Sequence, residues 1–191
     1  MNTLKEFFLA NSAQFRKFWV NQIAISLLGV MITLPMLTLE KNHPEIGAWP
    51  ELLAALFCGG FFCFLIYDVM YALGAKDYIR VTHQNAEPDR LKALKICVLA
   101  YLPTIIVTLC AAIFRVTGLA DAYGVTSIIM NMVIHAMYSG LFFYLPDTIN
   151  VIAFPIGIIA TLFFGWLGYY MSTHDKSLRS VFGIKTKPYR E

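Results

Sequence analysis

Uncharged apolar runs separated by short polar stretches dominate the chain. Four of them, residues 18–39, 52–73, 94–114 and 151–171, reach the length of about 20 residues that carries a helix across a hydrocarbon core of about 30 Å. A fifth, residues 125–145, is long enough but is interrupted by Asn131, His135, Ser139 and Gly140. Ahead of the first run, Leu4, Phe7, Phe8, Phe15 and Phe18 alternate with Lys5, Asn11, Arg16 and Lys17, so residues 1–17 read as an amphipathic segment lying on the membrane surface. The pattern predicts an all-α fold: one polytopic membrane helical bundle occupying residues 1–191, with no separate soluble domain.

Composition agrees with that reading. Of 191 residues, 58% are hydrophobic and 14% charged, and the mean hydropathy is +0.63. A disordered chain or an ordinary soluble domain needs far more charge. Where the charges lie then decides topology, because Lys and Arg collect on the cytoplasmic side. Lys5, Arg16 and Lys17 precede the first span; Lys76, Arg80, Arg90, Lys92 and Lys95 follow the second. Lys176, Arg179, Lys185, Lys187 and Arg190 fill the tail, residues 172–191, and only Lys41 and Arg115 remain. Four crossings place 13 of the 15 basic residues on one side, whereas five would divide them eight to seven. Four spans with both termini cytoplasmic, in the plasma membrane, are therefore expected, with 125–145 interfacial or re-entrant and a fifth span as the alternative. The first run is too long for a signal-peptide core and reads as an anchor.

Packing signals are plentiful. Small residues every fourth position let helices approach closely in lipid, and Ala153, Gly157, Thr161 and Gly165 form such a seam on the last span. Ala100, Thr104, Thr108 and Ala112 repeat it on the third, and Ala55, Gly59 and Cys63 on the second. Pro103 predicts a kink in the third span. Pro88 and Asp89 suit the first turn of a helix running into that span, which leaves residues 74–87 as an irregular connection. Cys58, Cys63, Cys97 and Cys110 all fall within spans, as packing thiols would, and their spacing matches no metal motif.

Chemistry is scarcer. Asp68 is an acid well inside the second span, about six residues from Gly74, and must be neutral, paired or hydrated there. Lys95, Arg16, Lys17, Asn21 and Gln22 are its candidate partners. Ser127, Asn131, His135 and Ser139 recur every four residues and form one polar helix face. An interfacial helix turns that face to water, whereas a spanning helix lines a cavity with it and makes His135 a proton-titratable candidate. Asp68, Asn131 and His135 are thus the candidate polar site. A His135–Asp147 pair lacks an orienting group and a nucleophile, and no zinc-protease, nucleophile-elbow, Walker or dinucleotide motif occurs. No catalytic, cofactor or metal residue is assigned.

Gly74, Ala75, Lys76 and Asp77 after the second span, residues 89–95 leading into a proline-containing third span, and Gly165, Trp166, Leu167, Gly168 and Tyr169 before a basic tail resemble small multi-pass membrane proteins of Gram-positive, clostridia-like bacteria. The resemblance implies a bacterial plasma-membrane location and a four-span core, and no activity. The leading expectation is a non-enzymatic accessory or partner subunit of a membrane assembly, in contact with the bilayer and other membrane proteins but not with nucleic acid. The alternative is a small transporter or substrate-binding component using Asp68 and His135, and an intramembrane enzyme comes third.

Overall fold

The computed structural model describes residues 2–84, 87 and 89–174. The expected basic tail beyond His174, and Pro88, lie outside them. The elements are α1 (Asn2–Ala10), α2 (Ser12–Asn42), α3 (Trp49–Gln84), α4 (Lys92–Val116), α5 (Ala120–Ile129), α6 (Ser139–Tyr144) and α7 (Ala153–Thr173). No strand occurs among the described residues. Four helices, α2, α3, α4 and α7 with its leading turn, are long and apolar enough to cross a membrane, the architecture of a multi-pass membrane protein. Helix α3 is central, packed against α2, α6 and α7, while α4 closes the bundle against α7 and α5.

Small residues set the helix spacing. On α7, Gly165 seats the Cys97 thiol of α4, and Gly168 lies directly against the Tyr67 carbonyl of α3. A Cβ on Gly74 would stand 2.8 Å from the Tyr169 carbonyl oxygen. Gly74 is therefore a contact point inside a helix, and α3 continues to Gln84 where the sequence suggested an irregular loop. Lys92 holds this extension, with Nζ 2.9 and 2.8 Å from the two Asp77 carboxylate oxygens, and the Tyr169 hydroxyl lies 3.0 Å from Asp77. Helix α4 also starts later than expected, at Lys92. Asp89 stays outside the helix, accepting the Leu91 N–H at 3.1 Å and pairing with Lys95 at 2.9 Å. A short α1 precedes a break at Asn11, whose side chain donates to the Phe7 carbonyl, and Phe8 folds back to stack on Phe15 at 4.2 Å.

The stretch between α4 and α7 decides the topology. It leaves α4 through Gly118, at φ 74°, and runs along α4 as α5. Tyr123 near its start and Asn150 at its finish are bonded to one side chain: Arg115 donates to the Tyr123 hydroxyl at 2.6 Å, to Asn150 Oδ1 at 2.8 Å and to the Asp147 carbonyl. A segment whose two ends share one arginine enters and leaves at the same end of the bundle. Its halves, Ala120–Ile134 and Ala136–Tyr144, meet at 96°. The stretch is thus a bent elbow that begins and ends at one end of the bundle, and four long helices join the two ends of the molecule.

Candidate functional site: the elbow at His135

The elbow forms without proline or glycine at its apex. After α5 the chain makes a π-turn over Met130–Ile134, with the His135 N–H bonded to the Met130 carbonyl at 2.8 Å, and His135 leaves helical geometry at φ −132°, ψ 24°. A 3₁₀ turn, Ala136–Tyr138, leads into α6. Broken backbone at membrane depth persists only where protein or enclosed water satisfies its polar groups. Here α2 does so: Gln22 Nε2 donates to the Ile134 carbonyl and to Thr104 Oγ1, both at 3.0 Å, and Ser26 donates to the same carbonyl at 3.2 Å. Ser139 donates to the Ala136 carbonyl at 2.7 Å and shares a 3.1 Å bond with Thr33.

Four glycines make the seat. Gly29 of α2 lies directly against the Ala136 carbonyl, and Gly140 of α6 against the Glu51 carbonyl of α3. Gly59 takes the Tyr138 ring, with 2.5 Å from a built Cβ to Cε1, and Gly157 takes both His135 Nε2 and Tyr138 at 2.6 Å. The sequence-marked seam of α7 therefore lines this seat in part: Ala153, Gly157, Thr161 and Gly165 are all buried.

The hydroxyls beneath the elbow are fully used. Thr161 donates to the Gly157 carbonyl at 2.9 Å, so its oxygen accepts from Tyr138 at 3.0 Å and Tyr101 at 3.3 Å, and Tyr138 accepts from the Cys63 thiol at 3.1 Å. His135 stands edge-on to both tyrosine rings, 5.9 Å from Tyr101 and 4.8 Å from Tyr138 between centroids. Among the described residues both His135 ring nitrogens lack a partner, and so do Asn131 Oδ1 and Ser127 Oγ. His135 is 1% exposed and Asn131 5%. A buried polar atom left unpaired costs about 1–3 kcal/mol, so this stripe is an energetic liability the fold retains.

That burial corrects one expectation. The polar stripe does not face outward water, and it is not one continuous face, because the bend at His135 sends Ser139 to Thr33 of α2 and leaves Asn131 on the other arm. His135 and Asp147 are not brought together either. Asp147 is exposed beside Arg115.

Asp68 lies apart from His135 and Asn131. It is exposed on α3, and among the described residues it forms no hydrogen bond or ion pair. Its expected depth was counted from Gly74, where α3 does not end. Phe62 and Tyr101 are in ring contact, 6.4 Å between centroids. Asp68 is six residues beyond Phe62 toward the Asp77 end, and Lys95 is six residues from Tyr101 in the same direction, so the two share a level. Lys95 and Arg115, 20 residues apart on α4, bracket about 30 Å. Asp68 therefore stands at the level of Lys95, near one end of the apolar stretch of α4. Asp68→Asn is expected to shift stability by no more than about 0.5 kcal/mol, as surface changes do; a loss of several degrees in Tm would show that Asp68 is paired after all.

Two outlying features were not singled out in the sequence. At the Lys95 end, Asp77, Arg80, Asp89, Arg90, Lys92 and Tyr169 help line a cleft of about 300 Å³. At the other end Glu51, in the first turn of α3, is fully buried, with neither carboxylate oxygen bonded among the described residues. A sequence reader could have noticed only that Glu51 follows Pro50 at a helix start. None of the protein-family models, curated proteins or solved structures compared with the chain matches it.

Proposed function

We propose that the protein is a non-enzymatic component of the bacterial plasma membrane, termini cytoplasmic, that binds or carries a small uncharged polar solute at the elbow. One observation carries this reading: a re-entrant helix broken inside the bundle presents His135 and Asn131 with unspent hydrogen-bonding atoms. Discontinuous helices at mid-membrane are where transporters place their sites, because freed backbone and inward polar groups are tolerated there only around a ligand or cavity. An uncharged solute suits the surroundings, since among the described residues the ion pairs lie away from the elbow, Asp77–Lys92 and Asp89–Lys95 at one end and His43–Glu45 at the other. Of the candidate polar site Asp68, Asn131 and His135, this reading uses Asn131 and His135.

The partner-subunit reading keeps one specific support, the close seating of the elbow on Gly29, Gly59, Gly140 and Gly157, which a purely structural bend also needs. The two readings separate in a thermal-shift survey of the detergent-purified protein against amino acids, nucleobases, sugars and vitamins. A solute at a hundred times its Kd stabilises by about 2.7 kcal/mol. At least one class is expected to raise Tm, and Asn131→Leu, which removes an unpaired polar atom, is expected to erase that shift while leaving the free protein equally or more stable. No shift from any class, together with a stable co-purifying membrane protein, would overturn solute binding in favour of the partner role.

A further inference from the structure

We infer that the cleft between the end of α4 and the two ends of the elbow is a site for a small zwitterion of the α-amino-acid class, its carboxylate on Arg115 and its ammonium on Asp147. The site is separate from the elbow and does not rest on which solute His135 and Asn131 bind. The cleft measures about 420 Å³ and is lined by Arg115, Tyr123, Asp147 and Asn150 together with Phe114 and Gly118. Arg115 directly follows the apolar stretch of α4, residues 94–114, and Asp147 is exposed. The cleft therefore opens where the bundle meets water.

Two opposite charges share this cleft without neutralising one another. Arg115 donates to three uncharged oxygens, those of the Tyr123 hydroxyl, the Asn150 amide and the Asp147 backbone, and among the described residues no carboxylate pairs with it. A guanidinium carries five N–H donors. Three are spent on fixing the group, which leaves Nε–H and one Nη2 hydrogen for a ligand. The only side-chain hydrogen bond of Asp147 among the described residues is a long one, from Asn150 Nδ2 at 3.5 Å to Oδ1. Asn150 is itself 6% exposed. This buried amide holds the guanidinium with its oxygen and points its nitrogen at the carboxylate.

The amide also sets the distance between the charges. Its oxygen and nitrogen lie about 2.3 Å apart, the Arg115 bond to it measures 2.8 Å and the Asp147 bond 3.5 Å. Arg115 Nη1 and Asp147 Oδ1 are therefore no more than about 9 Å apart, yet outside the ion-pairing reach of about 4 Å. In an α-amino acid the ammonium nitrogen and a carboxylate oxygen are about 3 Å apart, and with a hydrogen bond of about 2.8 Å at each end the molecule bridges about 8 Å. A carboxylate alone is repelled by Asp147 and an amine alone by Arg115, so a molecule carrying both groups gains at both ends. Its side chain has room, because a Cβ built on Gly118 meets nothing within 4 Å.

Ligand-observed NMR titration of the detergent-purified protein with alanine, propionate and ethylamine tests this, since the three probes carry both charged groups or only one. Alanine is expected to bind saturably and about tenfold more tightly than either of the others. Asp147→Asn keeps the backbone carbonyl that Arg115 holds, so the variant should stay folded while its affinity for alanine falls to that for propionate. Asn131→Leu alters only the elbow and should leave alanine binding unchanged. Absence of saturable alanine binding, or equal affinities for alanine and propionate in the unaltered protein, would overturn the site, and so would undiminished alanine binding by folded Asp147→Asn. Loss of alanine binding in folded Asn131→Leu would place the ligand at the elbow, defeating this site and supporting the function proposed above. Alanine binding that survives Asn131→Leu, with no solute found whose binding depends on Asn131, would support this site and defeat only that function.

Discussion

Replacing Gly140 or Gly29 with alanine is expected to unseat the elbow, and these are the most damaging single-methyl changes the chain can suffer at its core. At Gly140 a Cβ would overlap the Glu51 carbonyl oxygen and stand 3.0 Å from Ala55 N. At Gly29 it would overlap the Ala136 carbonyl oxygen and stand 2.6 Å from its carbon and 2.7 Å from Met137 N. All of these are backbone atoms, held in α3 or in the 3₁₀ turn, and no rotamer change can move them aside. Overpacking of flexible side chains costs about 1–3 kcal/mol; the absence of a yielding neighbour puts these two at or above that upper figure. Against a total of about 5–15 kcal/mol such a loss depletes folded protein severalfold. Gly60 and Gly124, with nothing within 4 Å of a built Cβ, provide the contrast. Alanine there should stabilise by about 0.5–1 kcal/mol through helix propensity. Accumulation and Tm in mild detergent measure both pairs, and similar behaviour of the two pairs would disprove the seat.

Arg115→Gln is expected to be the most damaging change at the surface. The guanidinium ties the start of the re-entrant segment to its finish through Tyr123, Asn150 and the Asp147 carbonyl, and it lies 5.1 Å from the centre of the Tyr123 ring. Hydrogen bonds from a charged donor contribute about 1.5–3 kcal/mol each when buried. Partial exposure of Arg115 lowers the sum, and a loss of roughly 2 kcal/mol, or about 4–8 °C in Tm, is expected. Arg115→Lys should recover little, because one ammonium cannot reach three acceptors in the planar fork geometry. Full rescue by lysine would mean that Arg115 supplies charge only and does not hold the two ends together.

Most of the spanning helices were legible in the sequence because lipid imposes a simple rule of length and apolarity. The runs at 18–39, 52–73, 94–114 and 151–171 lie within α2, α3 and α4, and within α7 together with the turn before it. The extension of α3 to Gln84 was not legible. Gly74 ordinarily ends helices, and only the Tyr169 contact and the Lys92–Asp77 pair, 15 residues away in sequence, show that it does not do so here.

The elbow was half legible. Asn131, His135 and Ser139 marked the stretch as unlike the others, and the distribution of basic residues favoured four crossings. The bend itself has no local signature. It depends on Gln22 and Ser26 capturing the Ile134 carbonyl and on glycines in three other helices, contacts separated by about a hundred residues or more for α2. Asp68 was legible as a carboxylate that must be neutral, paired or hydrated, but its level is set by the neighbouring helix, where Lys95 stands at the same height.

The central claim is that residues 120–150 enter and leave the membrane at one face. In a background lacking the four native cysteines, Asp121→Cys, Thr148→Cys and His83→Cys place single thiols at exposed positions on the two arms and on the far end of α3. Intact cells are treated with a membrane-impermeant thiol reagent. The account predicts that the cysteines at 121 and 148 both react from outside while the one at 83 reacts only after lysis. Reaction of 121 without 148, or of 148 without 121, would show that the segment crosses the membrane and would contradict the re-entrant elbow.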